Sequence, residues 1–285
     1  MVMSYPEITK QPQTLQTTPN LGEWSVERDS WNWDSVASEL DLPDGLYNQA
    51  HECIDRHAEA TPDKVAMIWE GGDGAIERYS FQEMRHHSNR FANALATLGI
   101  GKAERVFFFT DRIPELYFAC FGTLKHGAII APLFSAFGPE PVKERFERAE
   151  GSVIVTTPNL LPKINAIRAQ LPSLRHVIVI AHRAGIEVDE GDLDYQALVA
   201  DASTEYTIEH TGPEDWSVMH FTSGTTGLAK GVVYSHHYLY LASAVLVDSL
   251  QQTEDDVLFT PMPVYHVAAM HFVGNLSLHA GCTGY

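Results

Sequence analysis

The chain has 285 residues, 45% of them hydrophobic, and carries 37 acidic against 19 basic side chains for a formal net charge of −18. That length and apolar content suffice for one large or two ordinary folded domains. The acidic balance, with no basic run, excludes nucleic acid as a partner, because neutralising phosphates needs clustered Lys and Arg. An anionic ligand therefore requires a local positive site. Cys53, Cys120 and Cys282 are far apart without CxxC pairing, which points away from a disulfide framework or zinc site and toward an intracellular, cytoplasmic chain. The first twenty residues are polar and proline-punctuated, unlike a signal peptide, and the apolar stretch 238–247 is about half a membrane span, so no span is expected.

Residues 1–47 read as an N-terminal arm, which Trp24, Trp31 and Trp33 are expected to anchor by burying aromatic area. From Asn48, apolar side chains at Ala50, Cys53 and Ile54, with His57, fall at helical spacing up to the stop at Thr61-Pro62. "KVAMIW" and "AIERYS" predict two strands around the turn "EGGDG". Ser80 and Glu83 form a capping box that opens a helix running to Leu98 and closed by Gly99. The alternation continues with strand "RVFFFT", helix "PELYFACFGTLKHG", strand "AIIAP", helix "PEPVKERFERAE", strand "SVIVTT", a helix over 158–170 and strand "HVIVIA". Short, doubly apolar strands between amphipathic helices predict an α/β fold, its mostly parallel sheets covered by helices on both faces. The polar span from Ala181 to Asp215 separates a first α/β subdomain, 48–211, from the start of a second, 212–285. In the second, "DWSVMHFTS" and "KGVVYS" are strands and His237–Leu250 a helix; "DVLFTPMP" is a strand, "VYHVAAMHFVGNLSLHAG" a loop and helix, and "GCTGY" enters a further strand. The chain stops in mid-pattern.

Between the first two strands of that second part lies "FTSGTTGLAKGVVY", residues 221–234. Ser223, Gly224, Thr225, Thr226 and Gly227 offer hydroxyls and unencumbered backbone N–H groups able to wrap the oxygens of a polyphosphate, and Lys230 adds a movable positive charge. A Walker A loop needs glycine before the lysine and Ser or Thr after it, where this chain has Ala229 and Gly231, and no GxGxxG occurs.

The stretch resembles the phosphate-binding motif of the adenylate-forming superfamily, which comprises acyl-CoA synthetases, luciferases and peptide-synthetase adenylation domains. That motif reads Tyr or Phe, Thr-Ser-Gly-Thr-Thr-Gly, any residue, Pro-Lys-Gly. It is matched from Phe221 through Gly227 and at Lys230 and Gly231, with Ala229 in place of the usual proline, a change expected to loosen the loop without removing a ligand. "TPMPVYHVAAMHFVG" is similar to the following motif, which places His266 beside the acyl pocket. The upstream sequence from "YSFQEMRHHSNRF" to "VTTPNL" is similar to acetyl-CoA synthetases and their short-chain relatives. Where acetate enzymes carry an Asp-Pro-Gly-Trp segment this chain has "PMPVYHVA", which looks more like ligases for larger acyl or aryl acids.

The resemblance implies an AMP-forming acid:CoA ligase using ATP, Mg2+ and coenzyme A on a small carboxylic acid. Thr222, Ser223, Gly224, Thr225, Thr226, Gly227 and Lys230 would hold the nucleotide phosphates, with Lys230 acting on the leaving pyrophosphate and His266 facing the acid. The adenine, ribose and Mg2+ segments, the hinge and the mobile carboxy-terminal domain of the family would lie beyond Tyr285, so the chain reads as a fragment, inactive alone. The alternative is a non-catalytic relative that binds nucleotide or a partner. Other constellations are weaker: His86-His87 and His236-His237 diverge on a helix, His266 and His271 are five apart, and none makes HExxH spacing, so no metal site is expected.

Overall fold

The computed structural model describes residues 23–30, 43–222, 227–263, 265–267, 269–270 and 276–285. The chain divides into two compact units, Met1–Asp41 and Leu42–Tyr285. The first contains helix α1, Trp24–Ser30. Trp24 is exposed, against the expectation that it buries its ring, while Trp31 and Trp33 lie outside the described residues.

The second unit opens with α2, a π-helical turn at His51–Asp55 running into an α-helical turn at Arg56–Ala60, and it buries Cys53, Ile54 and Ala58. Strands β1 (Val65–Glu70) and β2 (Ile76–Ser80) pair antiparallel. The Ser80 hydroxyl accepts the Glu83 N–H at 3.2 Å and the Glu83 carboxylate accepts the Ser80 N–H at 2.8 Å, which opens α3 (Phe81–Thr97) with a capping box. There follow β3 (Arg105–Phe109), α4 (Pro114–Lys125), β4 (Ile129–Pro132), α5 (Pro139–Arg148), β5 (Val153–Thr156), α6 (Leu161–Asn165) and β6 (His176–Val179). Next come β7 (Leu193–Asp194), α7 (Tyr195–Ala200), β8 (Trp216–Thr222), β9 (Lys230–Ser235) and α8 (His236–Leu250). Strand β10 (Val257–Leu258), helix α9 (Leu276–His279) and strand β11 (Thr283–Gly284) complete the described elements.

A seven-stranded sheet runs β7-β6-β5-β3-β4-β8-β9, parallel throughout except for the β8/β9 pair, and a four-stranded sheet runs β10-β11-β1-β2. Period-two alternation explains why the larger sheet is covered twice. Val106, Phe108, Ile130, Val155 and Ile178 point into one apolar cluster with Phe91 and Leu95 of α3 and Leu116 and Leu124 of α4. Phe107, Phe109, Ala131, Ile154 and Val177 point into another with Val142 and Phe146 of α5 and Ile164 of α6. A parallel sheet without a wet face needs near-continuous apolar runs, which residues 106–109 and 153–155 supply. Ala66 and Met67 of β1 join the first cluster, so the smaller sheet shares that core. Helices α3 and α4 touch at Gly122, where a Cβ would stand 2.6 Å from the Ser88 carbonyl oxygen.

Three expectations change. The helix expected over 158–170 is confined to α6 and a 3-10 turn at Arg168–Gln170, because Pro162 is tolerated only in a helix's first turn. The polar span 181–215 holds β7 and α7, the latter capped by the Asp194 carboxylate, with only Tyr195 and Val199 buried to signal a helix. The strand expected at 256–263 pairs only over Val257–Leu258, since Pro261 and Pro263 have no N–H for a ladder. The larger sheet includes β8, which pairs with β4 at Ile130 and Val218.

Two charged clusters fasten the elements. The fully buried Lys125 ammonium reaches Asp55 Oδ2 at 2.8 Å and Asn89 Oδ1 at 2.7 Å, joining α2, α3 and α4. Burial pushes that ammonium pKa down and the Asp55 carboxylate opposes the shift. Arg183 donates from Nε to both Glu115 oxygens, at 2.9 and 2.7 Å, and from its two Nη atoms to the two Glu77 oxygens at 2.8 and 2.9 Å, while lying 4.9 Å from the Trp69 ring.

Lys125→Ala is expected to cost about 3 kcal/mol in chemical denaturation, because it leaves the buried Asp55 carboxylate with only Arg85, at 3.4 Å, as a cation, and a Lys125→Met, Asp55→Asn double variant should recover most of the loss. A pH dependence follows from the half-buried His57 and the buried His236. Burial holds His57 down to about 4 and His236 down to about 3, and the His236 ring Nδ1 accepts the Gln49 N–H at 3.1 Å, which requires a lone pair there. Both are neutral when folded and titrate near 6.5 when unfolded, so the unfolded chain binds more protons in acid. Their stabilisation is complete above about pH 6.5 and is lost as pH falls toward 3–4; urea midpoints measured from pH 7.5 to 4.5 should fall by a slope exceeding one proton.

Candidate phosphate-binding hairpin and its surroundings

Strands β8 and β9 form an antiparallel hairpin in which Thr222 and Lys230 are register partners at the mouth of the connecting loop. Both are exposed. Ser223, Gly224, Thr225 and Thr226 lie outside the described residues. Gly227 has φ +91°, a conformation that glycine adopts without strain, and nothing stands within 4 Å of where a Cβ would be, so the backbone rather than crowding demands glycine. Among the described residues the Lys230 ammonium has neither a hydrogen-bond nor an ion-pair partner. It is a cation free to meet an incoming anion.

The hairpin rests on α5. Phe221 stacks on Phe107 with ring centroids 6.1 Å apart. The Arg145 guanidinium lies 4.4 Å from the Phe137 ring and 5.9 Å from that of Phe221. At the other end of the loop Ala229 is buried, and its backbone N–H donates to Glu144 Oε1 at 2.9 Å. The Glu144 carboxylate is also 3.9 Å from Arg145 and from Arg148.

His266 is exposed; its N–H donates to the Pro263 carbonyl and its own carbonyl accepts the Ala269 and Met270 N–H groups. The preceding residue ties this segment to the hairpin strand, since Nδ1 of His220 in β8 donates to the Tyr265 carbonyl at 3.1 Å. Burial holds His220 down to about 4, so the ring is neutral at physiological pH. The Tyr265 ring packs 4.4 Å from Phe134 beyond β4. That contact borders a cavity of about 850 Å3 at the carboxyl ends of β3 and β4, lined by Phe108, Tyr117, Phe134, Met262 and Tyr265 among others. The Thr110 hydroxyl, in the same lining, is buried and has no hydrogen-bond partner among the described residues. Tyr265 and Ala269 line the cavity, and His266 between them does not.

The structure thus brings Thr222 and Lys230 together across the hairpin and connects His266 to them through its neighbour's carbonyl. Sequence reasoning missed Glu144 and Arg145, which read as two charges on an amphipathic helix 85 and 76 residues before their partners. It also missed Tyr265, whose backbone makes the link. His271 lies outside the described residues. His87 stacks on Phe118 at 4.3 Å, and among the described residues no three His, Cys, Asp or Glu side chains are grouped to hold a metal ion.

The layered, mostly parallel sheets are those of the amino-terminal domain of adenylate-forming enzymes. A profile of the AMP-binding enzyme family matches residues 54–285, and the chain belongs to that family. It is 42% identical over 194 residues, 67% of its length, to an acetyl-coenzyme A synthetase of Bacillus subtilis (strain 168), of which it covers 33%. It superposes on the anthranilate CoA ligase AuaEII in complex with anthranoyl-AMP with a TM-score of 0.78 at 25% identity, covering 87% of this chain and 45% of that one. With ATP-bound MatB from Rhodopseudomonas palustris the TM-score is 0.73 at 27% identity, over 84% and 44% of the two chains. The chain therefore spans between a third and a half of the proteins it matches.

Gly227→Ala is expected to destabilise the second unit by about 1 kcal/mol or more, since the added Cβ strains a positive φ with no compensating contact. Urea denaturation of both forms under one condition measures it.

Proposed function

We propose that the complete protein is an AMP-forming carboxylic acid:CoA ligase and that this chain supplies its triphosphate-binding hairpin and part of its acid site. The observation that carries the reading is the Lys230 ammonium, which has no partner among the described residues and is set opposite Thr222 where two strands hand over to a Gly/Ser/Thr sequence. Family membership supports it, as do neighbours whose structures hold ATP or an acyl-adenylate. In the first half-reaction a carboxylate oxygen attacks the α-phosphorus of ATP and the bond to pyrophosphate breaks. In the second, the CoA sulfur attacks the acyl carbon and AMP leaves. Negative charge collects on pyrophosphate as it departs, so a preorganised cation and fixed N–H and hydroxyl donors stabilise the transition state more than the bound substrate. Lys230 is assigned the cationic role, and Thr222, Ser223, Gly224, Thr225, Thr226 and Gly227 the donor roles.

His266 is assigned to the acid, because its neighbours Tyr265 and Ala269 line the cavity and Tyr265 is bonded to the hairpin strand. The cavity's size and aromatic lining favour an acid larger than acetate. Magnesium would accompany the triphosphate, and no described residue is given a part in holding it. A cytoplasmic location is proposed because the three widely spaced cysteines are buried and show no CxxC pairing; no described helix is long and apolar enough to cross a membrane.

The test is pyrophosphate exchange by the full-length protein across a panel of carboxylic acids. Exchange with at least one acid is expected. No exchange with any, despite bound ATP, would favour a non-catalytic nucleotide-binding relative. Lys230→Ala should cut exchange about 100-fold for every acid while leaving stability unchanged, as the side chain is exposed and has no described partner. His266→Ala should instead re-rank the acids and raise KM for some; an equal loss for all would remove His266 from the acid site.

A further inference from the structure

Adjacent residues of one helix reach the two ends of the hairpin loop. Arg145 lies beside Phe221, immediately before Thr222, and Glu144 accepts the N–H of Ala229, immediately before Lys230. The second contact exists only because residue 229 is not proline. A proline ring would fix φ there and would have no N–H to donate. Alanine leaves that φ free in the unliganded loop, and a charge-assisted hydrogen bond from a carboxylate is an alternative way to restrain it. Ala229 is also buried, so its N–H is shielded from water and would go unsatisfied without an acceptor. The acceptor is held in turn, with Arg145 and Arg148 each 3.9 Å away.

We propose that Glu144 is a positioning residue for the phosphate-binding hairpin, acting through the Ala229 N–H to fix the backbone from which Lys230 projects, in place of the rigidity a proline would give. The proposal rests on the functional reading above only for its catalytic consequence. Glu144 touches no substrate in this scheme. It presents its carboxylate to the backbone, which keeps a negative charge beside an anion site from repelling the phosphates, because an N–H and two guanidinium groups already engage it. Loosening the tether lets Lys230 sample orientations away from the triphosphate, so the loss falls on ATP and spares the acid.

Glu144→Ala, Glu144→Gln and Ala229→Pro, with the Glu144→Ala, Ala229→Pro double variant, test this in the full-length protein. Glu144→Ala should raise KM for ATP about tenfold and leave KM for the acid within about twofold, the amide oxygen of Glu144→Gln should restore most of it, and Glu144→Ala should have no further effect once Ala229→Pro has removed the donor. Hydrogen exchange of the 227–231 backbone should be faster in Glu144→Ala than in the unaltered protein and near normal in Glu144→Gln, a readout that needs neither activity nor the proline variant. Equal losses from Glu144→Ala in both backgrounds, or unchanged exchange, would overturn the proposal. If the unaltered protein activates no acid, the functional reading fails and the exchange arm still decides the tether.

Discussion

One guanidinium bonds the two sheets to each other and to a helix at a single point. Arg183 follows β6 of the larger sheet, grips Glu77 of β2 in the smaller sheet through a parallel pair of hydrogen bonds, and grips Glu115 of α4 with its remaining nitrogen. Two carboxylates that would otherwise repel each other are thereby satisfied together, and the planar fork fixes direction as well as distance, which an ammonium could not do. The same contacts hold the Glu77 carboxyl down to about 2. Everything at the carboxyl ends of β3 and β4 depends on this placement, because the cavity is walled on one side by β1 and on the other by the segments that leave the larger sheet.

The loop proposed to bind phosphate connects two strands and does not stand ahead of a helix. Nucleotide loops that open onto a helix gain a ready-made positive pole from aligned peptide dipoles and orphan N–H groups. Here β9 takes the chain back along β8, and α8 begins only at His236, six residues past Lys230. In a chain with a net charge of −18 the local positive potential then has to come from side chains and from the loop's own amides. Under the proposed function Lys230, which has no partner among the described residues, would supply that charge, and Arg145 of α5 lies beside Phe221 at the loop's entry.

Much of this was legible in the residues. The alternation of "RVFFF", "VIVT" and "HVIV" with helices is a two-sided pattern that only a covered, mostly parallel sheet satisfies, and the Ser80/Glu83 box is a local signal complete within four residues. The loop's Gly, Ser and Thr content is local in the same way, and its family resemblance rests on that short stretch, of which residues 223–226 lie outside the described residues. What escaped reading was long-range. Nothing near Glu144 announces an amide 85 residues away, and the backbone carbonyl of Tyr265, which receives the His220 proton, has no sequence signature at all. Elements with few buried side chains were also missed, as with α7, where two apolar contacts and an aspartate cap suffice because the helix is short.

The Ala229 amide carries an implication for how sequences in this fold are free to drift. Where residue 229 is proline there is no hydrogen to donate, and the residue facing it from the helix is released from any duty to the loop. Where it is alanine, an acceptor on that helix becomes part of the loop's definition. The imino acid and the carboxylate are alternative solutions to one backbone problem, so the two positions are expected to vary together. A lineage crossing from one to the other does so with least cost by acquiring the acid first, since a carboxylate opposite proline does little harm, whereas a bare buried N–H opposite nothing does.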